Sequence, residues 1–226
     1  EVGLRRMLLS DGPVGVRGPS WDERDTAVNI PSPTALAASW DEQLVERMGR
    51  LLAAEARRKG VDVVLAPTVN LHRSPFAGRH FECFSEDPWL SGWVAAAYVR
   101  GLQAGGVAGC AKHFVANDSE TERFRLDARV DERTLRELYL LPFEVLVREA
   151  GVWSVMAAYT GLNGATMSEH PALREVLAED WGFDGVVMSD WLAARTTEPT
   201  AGAGLDLVMP RPAGPWGPAL VEAVRA

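Results

Sequence analysis

Ser189-Asp190-Trp191 sets a carboxylate beside an indole at the end of the apolar run Val186-Val187-Met188. A carboxylate there can attack an anomeric carbon, and an indole can stack on a pyranose ring. The same Asp could instead cap a helix that follows it. Lys112-His113-Phe114 closes another apolar run, 107–111. A Lys and a His at the end of a buried strand must be satisfied by a ligand or a counter-charge. Hydroxyl recognition beside an ionised Asp190 is one reading, and an internal ion pair is the other. Arg79 stands in Gly78-Arg79-His80-Phe81-Glu82, ahead of Ser85-Glu86-Asp87-Pro88. Its guanidinium could fork onto vicinal hydroxyls or make a loop salt bridge. Asp11, in Ser10-Asp11-Gly12-Pro13, could accept from two sugar hydroxyls or serve the turn that Asp-Gly-Pro encodes. Met156 and Tyr159 read as wall residues beside them.

These residues need elements to hold them. Short apolar, β-prone runs recur at 7–9, 61–66, 107–111, 152–158, 186–188 and 205–209. Most lack strict alternation, as expected of strands buried on both faces in a parallel sheet. Helical periods lie between them. Residues 40–59 put Leu44, Met48, Leu51, Leu52 and Ala56 on one stripe and stop at Gly60. Further helices are predicted over 89–102, 132–149, 173–180 and 218–225. Alternating strand and helix means α/β with parallel strands. The chemical residues follow the strands: Asp11, Asn70 and His72, Lys112 and His113, Tyr159 and Asn163, Asp190. In a (β/α) barrel the C-terminal strand ends form the active-site face. The expected fold is therefore a TIM-like (β/α) barrel of about six units, short of the usual ~8. The whole of 1–226 is expected to be one such partial domain.

Composition narrows the partners. The chain has 226 residues, 47% hydrophobic, with 23 Lys+Arg against 31 Asp+Glu and a net charge of -8. That supports one sizeable core and disfavours a nucleic-acid binder. Lys59 and Lys112 are the only lysines, so a lysine ending an apolar strand stands out. No apolar run reaches the ~18 residues that a membrane span needs. The start lacks a signal-peptide core and an initiator Met, so a cytoplasmic protein whose native N-terminus lies upstream is expected. Cys83 and Cys110 cannot make a disulfide framework, although a single bridge stays open. His72, His80, His113 and His170 show no HxH or HExxH spacing, and no GxGxxG follows a strand. Neither a metal nor a dinucleotide cofactor is expected. Asn117-Asp118-Ser119 is a glycosylation sequon, read as chance without a secretion signal.

Several strings together resemble glycoside hydrolase family 3, the β-glucosidase and β-xylosidase type. They are Ser10-Asp11-Gly12-Pro13-Val14-Gly15-Val16-Arg17, Ala66-Pro67, the 78–88 segment, Lys112-His113-Phe114, Met156-Ala157-Ala158-Tyr159, Gly185-Val186-Val187-Met188-Ser189-Asp190-Trp191, and Ala203-Gly204-Leu205-Asp206-Leu207-Val208-Met209-Pro210. They stand in the family's order and span almost the whole chain. The resemblance implies an N-terminal barrel-like domain and a retaining, exo-acting β-glycosidase acting on small glycosides or oligosaccharides. It implies Asp190 as the nucleophile. It implies that Asp11, Arg79, Lys112 and His113 bind the terminal sugar, that Met156 and Tyr159 wall the pocket, and that Trp191 flanks the leaving group. Arg123, in Glu120-Thr121-Glu122-Arg123, is added to the sugar-binding set. Lys112 and Arg79 nearby should hold Asp190 ionised.

A retaining mechanism also needs a second carboxyl about 5–5.5 Å from the nucleophile. In the family this comes from a following α/β-sandwich domain, or from a Lys-His-Phe-Pro-Gly-His loop. Here Val115-Ala116 follows Phe114 instead, so the acid/base is expected beyond residue 226. Two other readings remain: a silent sugar-binding fragment, and a Schiff-base aldolase using Lys112.

Overall fold

The computed structural model describes residues 5–20, 22–210 and 214–226. The apolar runs assemble five parallel strands: β1 (Leu9–Asp11), β2 (Val63–Leu65), β3 (Ala108–Phe114), β5 (Ser154–Ala157) and β8 (Val186–Ser189). Their spatial order, β1-β2-β3-β5-β8, is their order along the chain. A doubly wound sheet would reverse at a switch point. This one never does, so it curls in one direction as a half-barrel. A separate small sheet joins β4 (Asp127–Ala128), β6 (Gly161–Leu162) and β7 (Ala165–Thr166).

The strands β2, β3, β5 and β8 are buried on both faces over most of their length, which explains the missing alternation. Val64, Ala66, Ala111, Val155, Ala157 and Val187 belong to the large cluster beneath the helices. Val63, Cys110, Met156, Met188 and Met209 form a second cluster with Leu9, Leu65, Ala108 and Leu207 on the concave side. Side chains two residues apart share a strand face. Asp11 lies two after Leu9, Lys112 two after Cys110, and Asp190 two after Met188. The concave apolar layer therefore leads directly up to three charged groups.

The outer layer is α1 (Pro33–Ala38), α2 (Glu42–Arg58), α3 (Pro88–Ala104), α4 (Glu132–Thr134) and α5 (Leu141–Ala150). A π-helical segment, Leu135–Leu140, joins α4 to α5, and a second occupies Leu173–Asp180. Two further helices, α6 (Glu198–Gly202) and α7 (Pro218–Arg225), lie near the C-terminal end. Asp41 caps α2 and Asp87 caps α3, their carboxylates accepting the Leu44 and Leu90 N–H groups at 2.9 and 2.8 Å. Both free cysteines are buried.

Three sequence expectations need correction. The first strand lies two residues later than 7–9, because the Asp62 carboxylate takes the Leu8 N–H at 2.8 Å and Leu9 pairs with Val63. The run 205–209 makes only one parallel bridge, Met188 to Leu207. Its backbone meets β8 through the Leu207 N–H to the Val187 carbonyl at 3.1 Å and the Ser189 N–H to the Leu207 carbonyl at 2.8 Å. Side chains take over on either side: Asp206 accepts the Val187 N–H at 2.8 Å, and the Ser189 hydroxyl accepts the Met209 N–H at 2.9 Å. The buried stripe of α2 is Val45, Gly49, Leu52, Ala53 and Ala56, while Leu51 is exposed.

Glycine causes that rotation. A Cβ on Gly49 would stand 2.4 Å from the Tyr98 carbonyl, and one on Gly101 would stand 2.2 Å from the Glu46 carbonyl. The two helices touch backbone to backbone, which only a Gly–Gly crossing allows. Gly101→Ala is therefore expected to destabilise the full-length protein by about 1–3 kcal/mol, the usual range for an overpacked core. Urea unfolding checks it: an unchanged midpoint would mean that the helices do not cross this closely.

Candidate active site

The C-terminal ends of the strands surround a cavity of about 500 Å³. Asp11, Arg79, Lys112, His113, Arg123, Met156, Tyr159, Asp190 and Trp191 all line it, with Leu9, Arg17, Leu65 and Met209. A hollow of about 580 Å³ lies at the opposite end of β5 and β8, but its ionisable lining is only Arg148 and Asp184.

Asp190 follows β8 and is 9% exposed. Its Oδ1 accepts the Trp191 N–H at 2.7 Å. Its Oδ2 is buried without a hydrogen bond and lies 3.5 Å from His113 Nε2. No helix starts here, since 191–193 are a turn and α6 begins at Glu198, so Asp190 is not a helix cap. Burial pushes the Asp190 carboxyl above its ordinary value. The Trp191 N–H, Lys112, the Tyr159 hydroxyl and Arg79 each pull it back without winning. Lys112 and Arg79 thus favour the ionised form, while desolvation of an oxygen shut away from water sets the direction of the net shift.

The cations are themselves held. Lys112 Nζ lies 3.8 Å from Asp11 Oδ1 and 4.0 Å from Glu82 Oε2. Glu82 also pairs with Arg79 Nε and accepts the Thr68 hydroxyl at 3.2 Å. Arg79 Nη1 reaches Glu120 Oε1 at 3.6 Å, and Arg123 Nη1 holds Glu120 Oε2 at 2.8 Å. The order Lys112, Glu82, Arg79, Glu120, Arg123 thus alternates in sign. Burial works against the Arg79 cation, yet Glu82 and Glu120, with Asp190, raise it on balance. Arg123 stacks 4.4 Å over the Tyr159 ring, and Phe124 packs edge-on against that ring at 4.6 Å. Asp11 is braced from the other side by Arg17 Nη1 at 3.4 Å. Trp191 is half exposed at the rim.

His113 is buried and bound to Asn70. The Asn70 Oδ1 accepts the His113 N–H at 3.0 Å and lies 3.1 Å from Nδ1, while Asn70 Nδ2 donates to the His113 carbonyl at 3.0 Å. Burial first, then Arg79, Lys112 and Arg123, hold the imidazole well below its ordinary value. Asn117, of the sequon, is buried and donates to Glu120 Oε1 at 3.0 Å.

Sequence reasoning placed Asn70 after a strand without giving it a role, and did not single out Arg17, Glu82 or Glu120. Arg17 closes the string Ser10 to Arg17, Glu82 stands three residues after Arg79, and Glu120 three before Arg123, so all three carried a local signal. The contacts from Asn70 to His113 and from Glu120 to Arg79 span loops and carried none. Among the described residues no three His, Cys, Asp or Glu side chains are grouped to hold a metal ion. Nor is any described helix long and apolar enough to cross a membrane.

The glycosyl hydrolase family 3 N-terminal domain model matches residues 16–210. The chain belongs to that family. A β-glucosidase of Rhizobium radiobacter is 52% identical over 100% of this chain, which covers 28% of that relative. β-Glucosidase B of Emericella nidulans is 47% identical over 94% of the chain and 25% of the relative. Among solved structures, β-glucosidase 3B of Thermotoga neapolitana in complex with glucose superposes with a TM-score of 0.90 at 43% identity, over 100% of this chain and 33% of that one. The β-glucosidase of Kluyveromyces marxianus in complex with glucose gives 0.92 at 40% identity, over 96% and 26%. This family 3 domain thus spans about a quarter to a third of the proteins it resembles.

Proposed function

We propose that this domain supplies the sugar site and nucleophile of a retaining, exo-acting β-glucosidase of greater length. The observation that carries the reading is the buried, unbonded Asp190 Oδ2, aimed into a cavity rimmed by cations. In the first step Oδ2 forms a bond to the anomeric carbon as the C1–O bond to the leaving group breaks. The leaving oxygen takes a proton from a general acid, and water later reverses the roles. Ionised Asp190 also stabilises the positive charge that develops on the ring. Asp11, Lys112, Arg79, Arg123 and His113 would hold the hydroxyls of the terminal sugar. Met156 and Tyr159 would wall the pocket, and Trp191 would flank the leaving group. The β-glucosidase names of the relatives, and glucose in the solved structures, favour a β-D-glucosyl residue. On the same reading the curled sheet, with 205–209 alongside, forms most of a TIM-like barrel of about six units.

The general acid belongs, on this proposal, to a part of the enzyme outside 1–226. The carboxylates among the cavity residues are Asp190 and Asp11, and Asp11 is engaged by Lys112 and Arg17. That observation also favours a second reading for the 226-residue chain taken alone: it would bind sugar and scarcely turn over. Lys112 is engaged by two carboxylates, so the aldolase reading gains nothing from the site.

Treatment of the full-length enzyme with a 2-deoxy-2-fluoro-β-glucoside tests the central claim. The expected result is one glycosyl adduct, on the peptide carrying Asp190. An adduct on another carboxylate removes the assignment.

A further inference from the structure

Asn70 follows β2 and is 4% exposed. Its amide orientation is unambiguous. A backbone N–H must donate and a carbonyl must accept, so the Asn70 atom that meets the His113 N–H at 3.0 Å is the oxygen, and the atom that meets the His113 carbonyl at 3.0 Å is the nitrogen. That same oxygen lies 3.1 Å from His113 Nδ1. An amide oxygen only accepts, so Nδ1 must carry the hydrogen. In a neutral ring Nε2 is then a bare acceptor. Nε2 faces Asp190 Oδ2, the oxygen without a hydrogen bond, across 3.5 Å.

We propose that Asn70 is a positioning residue that fixes His113 as the Nδ1–H tautomer and thereby keeps a hydrogen-bond donor away from the attacking oxygen of Asp190. The inference rests on Asp190 being the nucleophile. A carboxylate oxygen that accepts a strong hydrogen bond has its lone pairs drawn toward the donor and attacks carbon less readily. With Nε2 bare, Oδ2 keeps those lone pairs for the anomeric carbon. Nε2 itself can then accept from a sugar hydroxyl, so the pocket offers the substrate a neutral acceptor beside the carboxylates of Asp11 and Asp190. Of the charged groups that face the ring, Arg79, Lys112 and Arg123 disfavour a positive imidazolium and Asp190 opposes them. The identity of the ring proton depends on one amide, because the wrong tautomer would place two acceptors, Nδ1 and Asn70 Oδ1, against each other at 3.1 Å.

Asn70→Asp in the full-length enzyme reverses the design without changing shape. A carboxylate beside Nδ1 favours the imidazolium, which presents an N–H to Asp190 from Nε2. The expected result is a kcat for an aryl β-glucoside lowered about 10-fold or more, in line with the strong effect of a wrong histidine tautomer elsewhere. KM should change less than kcat. The acidic limb of the kcat/KM profile should move up by about one pH unit or more, since the domain must now lose the histidine proton before attack. A merely structural asparagine would lower stability and leave the limb where it was, and that outcome overturns the proposal. Should Asn70→Asp fail to fold, neutron diffraction on the unsubstituted full-length enzyme decides: deuterium on Nδ1 alone supports the proposal, and deuterium on Nε2 overturns it. The neutron readout concerns the ring and not the reaction. A fluoro-sugar adduct on another residue would therefore sink the nucleophile while leaving the tautomer standing, and the two failures stay distinct.

Discussion

Asp190→Asn in the full-length enzyme is expected to lower kcat for an aryl β-glucoside by about 10⁴- to 10⁶-fold, the loss that follows removal of a covalent nucleophile. Glucose affinity should fall far less, because Lys112, Arg79 and Arg123 keep their own partners among Glu82 and Glu120. The same variant should be more stable than the parent at neutral pH. The carboxyl is raised in the folded protein by burial, against about 3.9 in the unfolded chain. Between those two values the folded state holds more protons than the unfolded one, so stability falls as pH rises through that window. Above it, the charged Asp190 weighs on the fold. Asparagine has no such charge, so its advantage should shrink as pH falls through the raised range and vanish below about 4. Thermal melting at pH 7 and pH 4 measures this. A variant less stable than the parent at pH 7, with activity retained, would remove both the nucleophile and its electrostatic description.

Much of the sheet was readable because both faces of β2, β5 and most of β3 and β8 are apolar, so short Val, Leu, Met and Ala runs marked it without periodicity. The two-residue step from Leu9 to Asp11, from Cys110 to Lys112 and from Met188 to Asp190 is also local, and it aligns these charges with one another. What local pattern did not carry is contact across the chain. Gly49 and Gly101 have no side chain to mark a face, yet their crossing turns α2 by about one residue and exposes Leu51. The run 205–209 reads like a strand and pairs its backbone with β8 around Leu207, but the Asp206 carboxylate and the Ser189 hydroxyl replace backbone partners on either side. The nine cavity residues were grouped largely through resemblance, since an Asp-Gly-Pro turn and a loop Arg carry no chemistry by themselves. The supporting shell was invisible for the same reason. Glu120 serves two arginines and Asn70 serves one histidine through contacts that only folding creates. Desolvation is likewise a property of the folded cavity, and a count of nearby cations does not carry it.

Arg79 is where that supporting shell can be tested hardest. Its guanidinium touches Glu82 on one side and Glu120 on the other, so one deletion takes a cation from both carboxylates and leaves Glu82 to Lys112 and Glu120 to Arg123. Breaking a buried ion pair costs about 3–5 kcal/mol. Arg79 keeps a quarter of its side chain exposed while Glu82 is nearly closed off, so screening by water should reduce the loss for Arg79→Ala to about 2–4 kcal/mol. Catalysis should suffer with it. Arg123 and Lys112 would be left as the cations on Glu120 and Glu82 and would shift toward them, and a misplacement on the order of 1 Å near the reacting centre can lower the rate by about 10²-fold. Arg79→Lys separates charge from geometry. A lysine restores one positive charge but has no planar fork to span both carboxylates. Chemical unfolding should therefore show part of the stability regained, while kcat/KM stays far below the parent. If lysine restored both, the site would need only a cation at this position, and the alternating order from Lys112 to Arg123 would have no bearing on how the sugar is held.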